Sequence, residues 1–334
     1  MARNDTASIL SGFGVASASG SISSAEVKSL VKNAAKDGLT KAEARALAEQ
    51  SAKFQDAFEP AARTQLSNFL SAASAGANTE DPMVMTRDAH KVKYRVAHGV
   101  LFKQGISAND IKQGMAGDCY FLASLAALAK GNPAAIRDAI TVKEDGSYLV
   151  RFYRPAADGT MEPVYIPVDK ELPRDRWGSA RYASGQRGEL WVPLMEKAFA
   201  KFKGSYEAIG NGGWPSETMS TLTGQPAKMG GTDELSPTEM FATMKNTLAA
   251  GRLVCASTGG GAKYRKSGLV TAHAYSVLGV SERNGVKYVT LRNPWGFKEP
   301  GQPDGGDGVF KLTLSKFLQL FPEYYATEAA PATA

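Results

Sequence analysis

Cysteine is scarce in this sequence: Cys119 and Cys255 are the only two among 334 residues. A secreted scaffold held together by disulfides normally carries more cysteines. The chain is also long enough to bury a large hydrophobic core, so it does not need such cross-links. We expect no disulfide between the two, because Cys119 lies in a motif that requires a free thiolate.

Long apolar runs and long basic tracts are also missing. No stretch approaches the roughly 20 apolar residues of a membrane span, and residues 1–20 lack the basic start and apolar run of a secretory signal. The net charge is +6, but basic and acidic residues are interspersed. Short basic segments such as 87–93 and 197–203 therefore predict solvated faces and no nucleic-acid partner. We expect a soluble protein, cytoplasmic or exported without a cleaved signal.

The N-terminal quarter of the chain predicts helices after a disordered start. Residues 1–20 are rich in Ser, Ala and Gly, which is typical of disorder. The capping-box patterns Ser23–Glu26 and Thr40–Glu43 then each precede apolar residues at helical spacing. A third helix is predicted around 61–73. We therefore expect an α-helical N-terminal region and linker at 21–82, whose helices are candidates to bind a protein partner.

The remainder of the chain, residues 83–326, changes character. An apolar helix is predicted at 119–130 and another helix at 190–202, whereas most later segments are short and rich in β-forming residues. Helices followed by strands predict an α+β fold. The predicted strands lie at 148–153, 164–168, 253–257, 274–280, 287–292 and 308–312. Residues 327–334 are rich in Ala, Pro and Thr and predict a loose tail.

The segment QGMAGDCYF, residues 113–121, places Cys119 after a glycine-containing loop and at the start of an apolar helix. The positive end of the helix dipole favours the thiolate over the thiol, which makes a stronger nucleophile. The N–H groups of that helix terminus and the amide of Gln113 are suited to bind an oxyanion. Cys119 is therefore the candidate nucleophile. Taken alone, Gln113 is explained equally well as a polar loop residue.

A thiolate nucleophile needs an acid–base partner, and the chain offers three histidines. His273 begins a predicted strand, whereas His90 and His98 lie in a charged stretch where surface or packing roles are expected. Asn293, in the pattern RNPWG, ends another predicted strand. Its side-chain carbonyl can hold an imidazole in one tautomer. A cysteine followed far downstream by histidine and then asparagine is the order of papain-like proteases.

Several blocks of this sequence resemble the calpain cysteine proteases. They are QGMAGDCYFLASLA around Cys119, AHAYSVLGV around His273, RNPWG at Asn293, and the connecting segments VDKELP and LWVPLMEKAFAKFKGSYEAIGNG. The resemblance covers about residues 85–325. It implies a papain-like core of two lobes, a helical lobe at about 83–215 with the cysteine and a β-rich lobe at about 216–326 with the histidine and asparagine.

The same resemblance implies the activity and further site residues. The implied reaction is endopeptidase cleavage of protein substrates through a thioester acyl-enzyme. Gln113 would be the oxyanion donor and Trp295 an aromatic wedge between the lobes, and Gly117 and Ala272 would line the substrate cleft. Ala272 stands where calpains have a glycine next to the histidine, and Tyr120 replaces the tryptophan that usually follows the cysteine.

Calpain cores can bind calcium through carboxylate oxygens, as a regulatory rather than a chemical cofactor. The resemblance places a first calcium site at Asp110 and Glu207, both of which are acidic here. It places a second site at Glu299 and Asp307, where Val309 stands in place of a third acidic residue. We therefore expect the first site to be better retained than the second.

Two alternative functions remain open for this sequence. The same triad could perform acyl transfer, although the spacing from Gln113 to Cys119 and the RNPWG block argue against it. The chain could instead be a non-catalytic interaction module on a protease fold, with binding led by residues 20–75. The intact triad argues against that second alternative.

Overall fold

The computed structural model describes residues 6–36, 38–74, 80–298, 300 and 306–329. Helices and antiparallel sheets are both present, which confirms the predicted α+β class. The helices are α1 Thr6–Ala16, α2 Ser24–Ala34, α3 Lys41–Lys53, α4 Pro60–Ser74, α5 Cys119–Gly131, α6 Pro133–Ala139, α7 Trp191–Lys203, α8 Tyr206–Gly210, α9 Pro215–Thr223, α10 Pro237–Ala249 and α11 Leu314–Leu320. The strands are β1 Lys93–Val96, β2 Ile111–Lys112, β3 Ile140–Val142, β4 Tyr148–Pro155, β5 Met161–Val168, β6 Glu171–Arg174, β7 Ser184–Gly185, β8 Ala227–Gly231, β9 Val254–Ser257, β10 Ala274–Arg283, β11 Val286–Arg292, β12 Val309–Thr313 and β13 Glu323–Thr327.

The chain divides into two compact units that are not continuous in sequence. The first unit contains the described residues up to 81 together with 138–170, and the second contains 82–137 and the residues from 171 onward. The sequence predicts that residues 138–170, which form the sheet β3-β4-β5, belong to the protease core. Their place in the first unit has a hydrophobic cause, because Leu149 and Tyr165 are buried in the same apolar cluster as the N-terminal helices.

In the first unit, the two predicted helix starts are confirmed. Ser23 caps α2 and Thr40 caps α3, and each forms a complete capping box with the glutamate three residues later, Glu26 or Glu43. Each box satisfies two backbone N–H groups that a helix terminus would otherwise leave without partners.

Residues 6–16 form helix α1, although their composition predicts disorder. Ile9, Phe13 and Ala16 lie on one face of this helix and are buried. The ring of Phe13 stacks on that of Phe54 with centroids 5.9 Å apart. The small and polar composition of this segment did not predict the helix. Three apolar residues at helical spacing are nevertheless enough to bury one face when other helices provide a surface.

The second unit contains a six-stranded antiparallel sheet with strand order β12-β11-β10-β9-β13-β8. Side chains alternate between the two faces of a strand. Tyr275, Val277 and Tyr324 lie on one face, in a hydrophobic cluster that includes residues of α10 and α11. On the other face, the Ser276 hydroxyl donates to the Ala123 carbonyl of α5 at 2.7 Å. The sheet thus has its hydrophobic core on one side and α5 on the other.

Helix α5 is buried on all sides, since every residue from Tyr120 to Ala129 is buried. A helix that is apolar all round is typical of a domain interior. The ring of Phe121 stacks on Phe199 of α7 with centroids 4.1 Å apart. This packing fixes the N-terminus of α5, where Cys119 lies. Across the described ranges, no helix combines the length and the hydrophobicity that crossing a bilayer would require.

Candidate active site

A cavity of about 980 Å³ lies within the second unit. Its lining includes all of the catalytic and cleft residues predicted from the sequence except Asn293, which is hydrogen-bonded to the lining residue His273. These lining residues are Gln113, Gly117, Cys119, Ala272, His273 and Trp295. The structure therefore places side chains that are far apart in the sequence around one space large enough for part of a peptide.

Cys119 is the first residue of α5, as predicted, and is partly exposed. The preceding loop is tightly packed, because a Cβ on Gly117 would lie 2.4 Å from the Gly210 carbonyl oxygen. Only glycine fits at Gly117. Burial raises the pKa of the Cys119 thiol, and the backbone N–H of Ala274 opposes this effect. In this geometry burial is the larger influence, so the neutral thiol predominates near pH 7.

His273 and Asn293 form a buried hydrogen-bonded pair. His273 Nε2 and Asn293 Oδ1 are 2.9 Å apart, and the Trp295 ring packs edge-on against the imidazole with centroids 5.2 Å apart. Burial lowers the pKa of His273 to about 4, against the opposing effect of the Asn293 hydrogen bond. With the Nε2–H donated to Asn293, Nδ1 is the ring nitrogen left to accept a proton. Within the described ranges, the Cys119 thiol and the imidazole form no hydrogen bond with each other.

Gln113 is fixed in the loop before α5. Its backbone N–H donates to the Pro294 carbonyl at 2.9 Å, and its side-chain Nε2 donates to the Ala116 carbonyl at 2.8 Å. An amide nitrogen carries two hydrogens, and only one is used in this contact. Gln113 therefore lines the cavity with one N–H able to donate to a substrate oxygen.

Ala272, directly before His273, has a left-handed backbone conformation with φ of 48°. This region favours glycine, because a Cβ there crowds the following carbonyl. The Ala272 N–H donates to the Gly259 carbonyl at 3.2 Å, which helps to hold the conformation. The methyl group that replaces the usual glycine hydrogen therefore lies at the cavity beside His273, on a strained backbone.

A pair of buried carboxyl groups that the sequence did not predict lies next to the nucleophile. Asp118 and Glu196 are both buried, and burial raises the pKa of each; the negative charge of Asp118 raises the pKa of Glu196 further. Both oxygens of Glu196 accept from the Ala183 N–H, at 2.9 and 3.0 Å. Ionisation of both carboxyl groups would bury two like charges at a high free-energy cost. The pair therefore retains at least one proton near pH 7. The position of Glu196 within the apolar run of α7 was the feature of the sequence that could have indicated this pair.

We expect Asp118→Asn to change how stability depends on pH. The folded wild type holds a proton on this pair that the unfolded chain has already released, so its free energy of unfolding falls as pH rises from about 4 to neutral. The amide removes the contribution of Asp118 and leaves that of Glu196, so the variant should lose less stability than wild type between about pH 5 and about pH 8, by at least about 1 kcal/mol. Urea denaturation at both pH values measures the difference.

His273 does not confound this comparison. Its lowered pKa of about 4 makes stability rise with pH between there and 6.5, which is the opposite sign, and both proteins share that contribution. The matched control is Asp56→Asn at an exposed carboxylate. Parallel stability curves for wild type and Asp118→Asn would contradict proton retention on Asp118 itself.

The acids assigned to the first calcium site make separate contacts. An Asp110 oxygen accepts from the Ser107 N–H at 2.7 Å, and a Glu207 oxygen accepts from the Thr86 N–H at 2.8 Å. Burial raises the pKa of Asp110, and the negative charge of Glu189 adds to this effect. The acidic residue whose charge acts on Asp110 is therefore Glu189. Among the described residues, no contact joins Asp110 to Glu207.

Of the second predicted calcium site, Glu299 lies outside the described residues. The Asp307 carboxylate accepts from the Asn109 side-chain amide at 2.9 Å and from the Val309 N–H at 3.0 Å. In the part of the chain that the structure describes, no cluster of three or more acidic, histidine or cysteine side chains is arranged to hold a metal ion.

Comparison with known proteins agrees with this geometry. Residues 54–302 match the family model described as calpain family cysteine protease, so the chain belongs to the calpain family of cysteine proteases. It is 35% identical over 214 residues to the calpain-type cysteine protease ADL1 of Oryza sativa subsp. japonica, which covers 58% of this chain and 9% of that protein. It is 32% identical to mouse calpain-9 over 208 residues (60% of this chain, 30% of the relative) and 31% identical to human calpain-8 over 268 residues (68% and 36%). The chain thus matches only a minor part of the length of these relatives.

Proposed function

We propose that this protein is a cysteine endopeptidase that cleaves protein substrates through an acyl-enzyme intermediate. The observation that carries the proposal is the placement of Cys119 and His273 on the same cavity, with the imidazole hydrogen-bonded to Asn293 at 2.9 Å. Membership of the calpain family supports the same reaction. The histidine tautomer favours it too, because Nδ1 is left free to act as the base.

The proposed reaction begins when His273 Nδ1 takes the proton from the Cys119 thiol. The thiolate attacks the substrate carbonyl carbon, and the oxyanion that forms accepts hydrogen bonds from Gln113 Nε2 and from the N-terminal N–H groups of α5. Collapse breaks the C–N bond, and His273 returns its proton to the leaving amine. Water then attacks the thioester with His273 again as base, which releases the acid product and regenerates the thiol.

We also propose that the second unit has the papain-like arrangement of two lobes. In it, Cys119 belongs to the helical lobe at about 83–215, and His273 and Asn293 to the β-rich lobe at about 216–326. The position of Cys119 on α5, and of the other two residues at the ends of β10 and β11, supports this layout. The helices at 21–82 remain candidates to bind a protein partner.

Cleavage of casein by purified protein, with and without calcium, tests the proposed function. We expect wild type to produce new peptide termini and Cys119→Ala to produce none. A thiol-reactive epoxide should also attach to Cys119 of the wild type. If neither cleavage nor attachment occurs with or without calcium, the chain is not a cysteine protease, and the interaction-module alternative is favoured.

Calcium regulation is a separate proposal, centred on Asp110 and Glu189. Two nearby carboxylates with partly buried oxygens are chemically suited to calcium, which completes its shell with carbonyls and water. Glu189 already lies against the chain at 103–104, because its Oε1 accepts from the Lys103 N–H at 2.5 Å and from the Gln104 N–H at 3.3 Å. A cation there would offset the burial and the repulsion from Glu189 that together raise the pKa of Asp110.

We expect calcium to raise the melting temperature of the wild type, since a ligand that binds only the folded state adds about 2.7 kcal/mol at 100 times its Kd. Asp110→Asn should remove most of this shift. Glu207→Gln should leave it unchanged if Glu189 is the second ligand, which distinguishes this pair from the pair assigned from the sequence. Loss of the shift in Glu207→Gln, with retention in Glu189→Gln, would reverse the assignment. Thermal unfolding with and without calcium measures each shift.

A further inference from the structure

The cavity that holds Cys119 also holds two side chains of opposite permanent charge. Among the described residues that line it, Glu323 is the carboxylate and Arg87 is the permanent cation. The mechanism proposed above uses neither of them. A charge that lines a substrate cavity without taking part in the chemistry is a candidate to select substrates.

The Arg87 side chain already contacts other groups of the protein. Its guanidinium donates to the Met115 carbonyl and contacts the Met85 sulfur at 3.5 Å. Glu323 differs, because within the described ranges no lysine, arginine or histidine forms an ion pair with it. Its carboxylate is therefore the charge in this cavity that a ligand can neutralise.

The Glu323 carboxylate is held in a fixed position. The Tyr325 hydroxyl donates to Glu323 Oε2 at 2.6 Å, and Tyr325 is itself fully buried. The two residues are two apart on β13, so both side chains lie on the same face of the sheet. Tyr325 is opposite Cys255, and Cys255 is opposite Ser276, so these three side chains share a face. Ser276 bonds to α5, so this is the face of the sheet that contacts α5.

The strand pairing sets how far Glu323 lies from the reacting groups. Glu323 is opposite Ser257 on β9, and Ser257 is opposite Ala274 on β10. Neighbouring strands are about 4.8 Å apart, so the Cα atoms of Glu323 and Ala274 are separated by about 10 Å. Ala274 follows His273 and its N–H faces the Cys119 thiol. An extended peptide advances about 3.3 Å per residue, so this distance corresponds to two or three residues from the bond at the thiol.

The surroundings of Glu323 leave room for a long side chain and add negative charge. Its two neighbours across the sheet are small, Ser257 on β9 and Gly231 on β8. The exposed carboxylate of Asp233 also lies near this row, with Oδ1 2.6 Å from where a Cβ on Gly231 would be. Small neighbours and a negative potential both favour an elongated cation over an acidic or bulky aromatic group.

We infer that Glu323 makes this cavity select protein substrates that carry a lysine or arginine two or three residues from the bond that is cleaved. This inference rests on the proposed protease function and adds a substrate class to it. A charge-assisted hydrogen bond between the Glu323 carboxylate and the substrate cation would provide the preference, which should weaken as the salt concentration rises.

Two peptides that differ at one position, arginine or glutamine, provide the test once a library of cleaved peptides has located the position. For wild type we expect the arginine peptide to have about a 10-fold higher kcat/KM than the glutamine peptide. Glu323→Gln should remove this ratio while the glutamine peptide is still cleaved, and Glu323→Lys should favour an acidic residue instead. The matched control is Glu328→Gln, which makes the same change just after β13 on an exposed side chain that pairs with Lys228.

Binding to the inactive Cys119→Ala protein separates this inference from the proposed chemistry. Calorimetry should show tighter binding of the arginine peptide than of the glutamine peptide, and the Cys119→Ala/Glu323→Gln double variant should bind both alike. If wild type cleaves the library without a basic preference at any position, or if the arginine-to-glutamine ratio survives Glu323→Gln, the inference is wrong and the protease proposal stands. Basic-peptide binding that depends on Glu323 without any cleavage would support the inference and overturn the protease proposal.

Discussion

Replacement of Cys119 by alanine is expected to lower kcat for peptide hydrolysis by at least about 10⁴-fold, because a thioester needs a thiol and Cys119 is the only cysteine among the described residues that line the cavity. The thiol lies at the N-terminus of α5 and is partly exposed to the cavity. Its side chain is small, and alanine continues the apolar helix without a steric change. The substitution should therefore remove activity without unfolding the protein, which a melting curve of the variant checks.

Cys255 provides the matched control for this experiment. It lies on β9, it is fully buried, and burial raises the pKa of its thiol strongly. A buried thiol of this kind is inert. Cys255→Ala should therefore retain cleavage and epoxide attachment, whereas Cys119→Ala should lose both. Mass spectrometry of the labelled protein identifies the site, and attachment at Cys255, or unchanged kcat in Cys119→Ala, would contradict the assigned nucleophile.

Replacement of His273 by alanine is expected to lower kcat by about 10⁴-fold as well, since the imidazole removes the thiol proton and later protonates the leaving amine. The state of the Cys119 thiol before substrate binds makes kcat depend strongly on His273. The Cys119 thiol is neutral because its pKa is raised, so the nucleophile forms only when a base accepts its proton. The reaction of iodoacetamide with Cys119, measured against pH, should shift to higher pH in His273→Ala.

Two further variants make the His273 experiment specific. His90→Ala, at an exposed histidine outside the cavity, should leave kcat unchanged. The double variant Cys119→Ala/His273→Ala should be no slower than either single variant, because residues that act as one unit are not additive. If the losses multiply instead, the two side chains do not act in the same step.

The helix starts are the parts of this protein that the sequence predicts well. Helix α5 was predicted at 119–130 and is found at Cys119–Gly131. The capping boxes at Ser23 and Thr40 were read directly from residue types three positions apart. These features depend on contacts within one turn of helix, so their chemistry is visible in a short stretch of sequence.

Other features depend on partners that the sequence does not name. The burial of α1 required surfaces from other helices, and Asp110 has Glu189 as its acidic neighbour although the resemblance pointed to Glu207. The carboxyl pair of Asp118 and Glu196 is similar, because neither acid looks unusual until both are placed in the same interior. Composition and motif spacing carry no information about which of several acids will meet.

The sequence by itself determined which residues carry the chemistry proposed for this calpain-family chain, because Cys119, His273 and Asn293 each lie in a recognisable local context. Only the tertiary structure decided how those groups are tuned. Burial raises the pKa of the Cys119 thiol, burial lowers that of His273, and strand pairing places Glu323 two strands away from Ala274, the residue after His273. Residue identity is a local property, whereas desolvation and the distance between charges arise when distant segments pack together.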